Sequence, residues 1–276
     1  MLRSAWARRA LALGAGAALC LAFAPWGWWW LAAPCVAVLL WLWIDAPTPR
    51  AAAALGFFFH AGTFVVGTWW LYVSIHGFGK APVWLALLLM GALVAIMAAY
   101  QAGVGWIVAR FLPRSAALGA MLAMPAAWLF VEWWRGWFLS GFPWLSLGYV
   151  LTDVPLAHLA PLGGVYLLSA IVLTSAGALV ALVRGTTRAR IVAVAVLVVP
   201  WLAAGLAGRV EWTRPDGEPV RVALLQGAVP QDQKWLENNA SHVLDAHDAH
   251  QHVGIPVARL APHVADVLGE EVRRVG

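Results

Sequence analysis

Across its first 208 residues the chain carries only three carboxylates, Asp45, Glu132 and Asp153, while the other ten of its thirteen fall in residues 209–276. So few charges cannot coat a water-facing surface. Soluble domains carry roughly 25% charged residues, whereas this chain has 11%, with 62% hydrophobic residues and a mean hydropathy of +0.77. Such apolar content also excludes disorder and fibrous repeats. The change in charge density marks a domain boundary: an integral membrane domain over residues 1–208, then a short polar segment.

A spanning helix needs about 20 mostly apolar residues. Seven stretches approach that requirement: 10–23 (short), 28–44, 51–73, 82–108, 116–131, 156–183 and 191–207. Arg3, Arg8 and Arg9 precede the first, as in a signal peptide, but another apolar stretch follows rather than a soluble domain, so it reads as a retained helix. The fold class expected is an all-α polytopic membrane protein of about seven transmembrane helices, followed by a polar stub.

Basic residues set the orientation. With a cytoplasmic amino terminus, the inner loops collect Arg3, Arg8, Arg9, Arg50, Arg110, Arg114, Arg184, Arg188 and Arg190, and the outer loops only Lys80 and Arg135. That asymmetry places the amino terminus in the cytoplasm and the polar segment outside it. Many of the 19 tryptophans sit near span ends, including Trp26, Trp28, Trp69, Trp70, Trp133, Trp134 and Trp144. They read as an aromatic belt, or, for the outer clusters, as the frame of an entrance for a lipid.

Two outward loops are too specific for plain connectors: WWLYVSIHGFGKAP at 69–82 and EWWRGWFLSGFPWLSLGY at 132–149. In the second, Glu132 and Arg135 share a helix face at i, i+3 spacing. An ionisable residue near membrane depth has a partner or a task; here the choice lies between a structural ion pair and the holding of a lipid headgroup. Gly141, Pro143 and Gly148 break the helix and predict a re-entrant or interfacial loop. His60, His76 and His158 each stand alone, and Cys20 and Cys35 read as small buried apolar residues. The spans contain no paired-carboxylate or nucleophile–base constellation.

In the polar segment, VRVALL at 220–225 reads as the first buried strand of an α/β domain, followed by the turn at Gly227. The roughly fifty residues that remain are few for such a domain.

Taken together, LAFAPWGWW at 21–29, the two outward loops, PLAHLAPLGGVYLLS at 155–169 and VALLQGAVPQDQKW at 222–235 resemble, in order, the bacterial apolipoprotein N-acyltransferases. The resemblance spans residues 10–238. It implies a bacterial inner-membrane enzyme with a nitrilase-like domain outside the cytoplasm, inserted before an eighth span. Members move a fatty acyl chain from a phospholipid to the amino-terminal cysteine of a diacylglyceryl lipoprotein, through a thioester on a Glu–Lys–Cys triad. The implied partners are a phospholipid donor, the diacylated lipoprotein acceptor and membrane lipids, with no metal, cofactor or nucleic acid. Substrate-facing residues carried over by position are Trp235 in the nitrilase-like start and Trp70, Tyr72, His76, Glu132 and Arg135 in the loops.

The triad has no counterpart here. No W-P-E stretch follows residue 239, no cysteine follows Cys35, and Lys80 and Lys234 are the only lysines. Residues 209–239 therefore read as a truncated nitrilase-like stub. Residues 240–276, which hold five of the eight histidines, read as an atypical tail, frameshifted or disordered; metal binding there has only composition in its favour. The expectation is an acyltransferase by family, inactive as this chain alone. Two other classes stay open: a non-catalytic lipid-binding scaffold, and a small-solute transporter, for which inverted repeats and mid-membrane charges are lacking.

Overall fold

A computed structural model of the chain describes residues 4–214 and 216–218. The expected strand at 220–225, Trp235 and the 240–276 tail lie outside the described residues.

Among the described residues eight α-helices follow in order: α1 Ala5–Leu19, α2 Ala32–Ile44, α3 Pro49–Gly67, the single turn α4 Trp70–Tyr72, α5 Val83–Phe111, α6 Met124–Arg135, α7 Ala160–Arg184 and α8 Thr187–Ala207. Local chemistry sets several of these boundaries. Thr48 Oγ1 accepts from Ala51 N at 3.1 Å, with Pro49 in the first helical turn of α3, and Thr186 caps α8 the same way through Ala189 N at 3.4 Å. Near the start of α7, Gly164 sits at φ +62°, ψ −156°, a conformation open to glycine alone, and kinks the helix between Pro161 and Val165.

Each apolar stretch read from the sequence carries a helix, but the boundaries move. Four helical segments, Pro49–Gly67, Val83–Phe111, Pro155–Arg184 and Thr187–Ala207, are long and apolar enough to cross a membrane, and Trp29–Ile44 is a shorter apolar helix. The stretch at 51–73 does not run through: α3 stops at Gly67, where Thr68 Oγ1 bonds back to Phe64 O at 2.5 Å, and a π-helical turn, Val73–Phe78, follows α4. The 69–82 connection is thus helical over residues 70–78 and irregular only from Gly79 to Pro82. A second π-helical turn, Gly119–Ala123, leads into α6, which carries on past Val131 to Arg135.

The helix ends sort by charge. At one end Arg8 donates to Leu42 O at 3.0 Å, Arg114 donates to Ala46 O at 2.7 Å, and Arg184 pairs with Asp45 at 2.8 Å. At the opposite end lie aromatic contacts, Trp29 with Trp201 at 5.5 Å and Trp70 with Trp144 at 6.2 Å between ring centroids. Between the ends, α5 and α8 expose Leu87, Leu88, Ile96, Ile191, Val199 and Leu202, side chains that only a hydrocarbon solvent tolerates in such number.

Lipid gives no hydrophobic drive for one helix to leave it for another, so association rests on close packing by small residues. The α1–α3 contact shows this. A Cβ on Gly16 would lie 1.8 Å from Phe59 O, and one on Gly62 would lie 2.2 Å from Leu13 O. Gly56 and Gly105 admit α5 just as closely, against Gln101 O at 2.3 Å and Ala52 O at 2.5 Å. We expect Gly16→Ile to destabilise the purified protein by about 1–3 kcal/mol or more, as overpacking does, read as a lower thermal midpoint in detergent. Gly14→Ala, with open space around the new carbon, is expected to stay within about 0.5 kcal/mol of the parent.

Candidate functional site

The aromatic end of the bundle holds a buried polar network built on α6. Glu132 and Arg135 are 3% and 5% exposed, although they close a helix that points toward the membrane surface. Burying charge without partners costs several kcal/mol, and both side chains have several partners. One Glu132 carboxylate oxygen accepts from Ser169 Oγ of α7, and the other from Leu147 N at 3.2 Å. Ser169 Oγ in turn accepts from Gly148 N at 2.7 Å. The carboxylate and the serine thus hold the first two amides of the 3₁₀ turn Leu147–Leu151 and satisfy donors that the turn leaves free.

Arg135 performs the complementary task. Its guanidinium donates to Phe142 O, to Trp144 O at 2.8 Å and to Ser146 Oγ at 3.4 Å, and lies 5.5 Å from the Phe64 ring of α3. Ser146 Oγ donates onward to Pro143 O at 2.8 Å. A planar five-donor fork suits three acceptors fanned across one loop. Among the described residues the ion pairs within 4 Å do not include Glu132 with Arg135. The i, i+3 spacing predicts a shared face, which α6 provides, but the side chains diverge to two parts of the same loop instead of pairing.

The loop so held meets the 69–82 segment. Trp144 stacks on Phe142 at 5.1 Å and meets Trp70 at 6.2 Å, while Phe142 reaches Phe64 at 6.2 Å. Leu145 packs between the main core and the Phe64 cluster. On the other segment, half-buried His76 makes a 2.8 Å hydrogen bond between Nδ1 and Ala81 O, and Tyr72 lies 5.4 Å from its ring. The structure therefore brings Trp70 to the loop that Glu132 and Arg135 organise. Tyr72 and His76 lie along the same helical segment, with His76 fixing its return into α5.

Two features mark this end as specialised. Among the described residues, the non-glycine positions with positive φ are Lys80 (54°), Ser140 (73°) and Leu145 (61°), all in these two segments. Such backbone costs about 1–3 kcal/mol per residue and persists where the surroundings over-determine it. Large aromatic rings also stay uncovered here: Trp69, Trp70, Phe78, Trp137 and Trp144. Sequence reasoning missed Ser146 and Ser169. Ser169 carried a signal, a lone hydroxyl in an apolar helix and inside the PLAHLAPLGGVYLLS motif.

A family model described as the apolipoprotein N-acyltransferase N-terminal domain matches residues 15–178. Among curated proteins, the apolipoprotein N-acyltransferase of Azotobacter vinelandii is 48% identical over 190 residues, covering 67% of this chain and 37% of that protein. Those of Pseudomonas putida, 45% identical over 190 residues, and Vibrio parahaemolyticus, 43% over 189, match over the same 37% of their length. The matched region is thus little more than a third of these relatives.

The network makes a direct prediction. Arg135→Ala leaves the carbonyls of Phe142 and Trp144 without their donor and should cost about 1–3 kcal/mol for each acceptor stranded. Arg135→Lys keeps the charge but cannot reach three fanned acceptors; it is expected to fold while the amides of Phe142 and of residues 144–148 exchange hydrogen faster. Unchanged exchange in Arg135→Lys would show that the fork does not hold the loop.

Proposed function

The chain belongs to the apolipoprotein N-acyltransferase family through its amino-terminal domain, and from that premise we propose that it is the membrane domain of a lipoprotein N-acyltransferase of the bacterial inner membrane. The reaction moves a fatty acyl group from a phospholipid ester oxygen to the amine of the amino-terminal cysteine of a diacylglyceryl lipoprotein. One ester bond breaks, one amide forms, and a lysophospholipid leaves.

The observation that carries this reading is the joining of the two aromatic segments, 69–82 and 132–149, over the buried Glu132–Ser169–Arg135 network. At the end of the bundle away from the arginines this makes a rigid platform of exposed rings. Rings with apolar bodies and polar edges settle at the headgroup level, where both the donor ester and the lipidated cysteine of the acceptor reside. In this reading Trp70 and Trp144 line the lipid path, and Tyr72 and His76 stiffen its wall. Glu132 and Arg135 act as positioning residues, shaping the loop from beneath rather than touching substrate. The topology is seven spans with the amino terminus in the cytoplasm, and residues 209–239 begin the nitrilase-like domain, with Trp235 facing substrate.

We also assign no acyl transfer to this chain by itself. Its two cysteines are buried at 2% and 8% exposure, and Cys20 Sγ is bonded to Thr63 O at 3.0 Å. Neither thiol is placed to form the thioester that the family's Glu–Lys–Cys chemistry requires. These same buried thiols favour, as second reading, a lipid-binding scaffold without turnover.

Both parts can be tested on the full chain in lipid nanodiscs. A fluorescent diacylated lipopeptide should bind, and Trp70→Ala with Trp144→Ala should weaken it about tenfold, equivalent to roughly 1.4 kcal/mol. Equal affinity for parent and double variant removes the platform from the reading. With a phospholipid carrying a labelled acyl chain, the chain should accumulate no hydroxylamine-labile adduct. An adduct on Cys20 or Cys35 overturns the assignment of inactivity.

A further inference from the structure

The arginine end of the bundle, away from the platform, has an open apolar seam with charged residues at its mouth. The seam between α1, α2 and α7 contains a cavity of about 400 Å³, lined wholly by apolar side chains, among them Leu11, Pro34, Ala37, Trp41, Leu179 and Val183. From Pro34 to Leu42 the seam follows α2 for about 12 Å of rise, most of the roughly 15 Å hydrocarbon depth of one leaflet. Its volume is that of a ligand pocket rather than a packing defect.

The mouth of this seam is charged. Arg8 hydrogen-bonds Leu42 O at 3.0 Å, and the Arg184 guanidinium lies 4.8 Å over the ring of Trp41, so both cations touch residues that line the cavity. Asp45, paired to Arg184 at 2.8 Å, is the carboxylate opposite them. Arg8 and Arg184 outnumber Asp45, and Arg114, on Ala46 O at 2.7 Å, adds to the same sign, so the mouth is net positive. Toward the other leaflet the seam continues past Pro34 and Leu179 into a second cavity of about 250 Å³, lined by Trp29, Trp30 and Trp201 among others and by no charged residue. Selection by charge is therefore confined to the arginine end.

We propose that this seam holds one acyl chain of an anionic glycerophospholipid, with its phosphate against Arg8 and Arg184. A zwitterionic lipid brings an ammonium group that the surplus positive charge repels; a net-negative headgroup completes the balance. Basic pockets between spanning helices recognise anionic headgroups by this chemistry.

The test is native mass spectrometry of the purified full chain, titrated in neutral detergent with dioleoyl phosphatidylglycerol or dioleoyl phosphatidylcholine, which share acyl chains and differ in charge. One phosphatidylglycerol should be retained at least tenfold more strongly than phosphatidylcholine. The double variant Arg8→Gln with Arg184→Gln should lose that preference, and Asp45→Asn, which frees Arg184, should keep or strengthen it. Ala37→Trp, which fills the cavity, should lose retention of both lipids. Equal retention of the two lipids by the parent overturns the proposal, as does a preference that survives in the arginine variant. A lipid-free dimer seated on the seam overturns it too. The readout involves neither lipopeptide nor acyl transfer, so its failure leaves the acyltransferase reading untouched.

Discussion

The membrane domain depends on how it shelters two opposite charges at the end of α6. A bilayer offers no water to satisfy a backbone amide or carbonyl, so irregular chain at that depth survives only where protein supplies the partners. The segment 136–149 is irregular chain whose partners come from protein in this way. Glu132, with Ser169, covers the donors at Leu147 and Gly148, and Arg135 covers the acceptors at Phe142 and Trp144. One helix end thereby serves a loop that could not otherwise lie there, and the loop in turn neutralises the cost of burying the charges. Neither half is stable without the other.

This mutual dependence explains why strain collects nearby. Positive φ at Ser140 and Leu145 lets the chain turn sharply enough to set Phe142 and Trp144 beside Phe64 and Trp70, and the guanidinium bonds compensate the backbone cost. Lys80 marks the matching bend where the 69–82 segment returns into α5. A loop meant only to connect two helices needs none of this. Rigidity is what a lipid-handling surface requires, since flexible rings would pay ordering entropy each time a chain docked.

How much of this was legible in the sequence follows from what each signal encodes. Apolar runs locate helices because lipid exposure demands them, and the arginines that stand out in that background include Arg8, Arg114 and Arg184, which meet at Leu42, Ala46 and Asp45 around the end of α2. Glu132 and Arg135 stood out because charge in an apolar background is conspicuous. Their partners did not: Ser169 is small enough to pass for a packing residue, and Ser146 looked like part of a turn. Boundaries failed where hydropathy is blind to depth. Residues 68–73 are as apolar as those before them, so the stretch 51–73 reads as one span, yet Thr68 ends α3 by bonding its own preceding turn. The meeting of Trp70 with Trp144 joins segments more than seventy positions apart, and no local pattern announces it.

The two ends of the bundle show the same physics used for different tasks. At the aromatic end charge is buried and locked by the backbone, leaving rings as the exposed chemistry; at the arginine end charge stays at the surface and the apolar seam is what lies open. A buried guanidinium committed to three acceptors of one loop shapes the surface above it from beneath. A half-exposed one, paired to a single carboxylate across 2.8 Å, exchanges partners at little cost, because ion pairs near solvent contribute only about 0–1 kcal/mol. In the proposed reading, recognition of a lipid's charge falls to Arg184 and Arg8, and recognition of its apolar and interfacial parts to the platform that Arg135 holds from below.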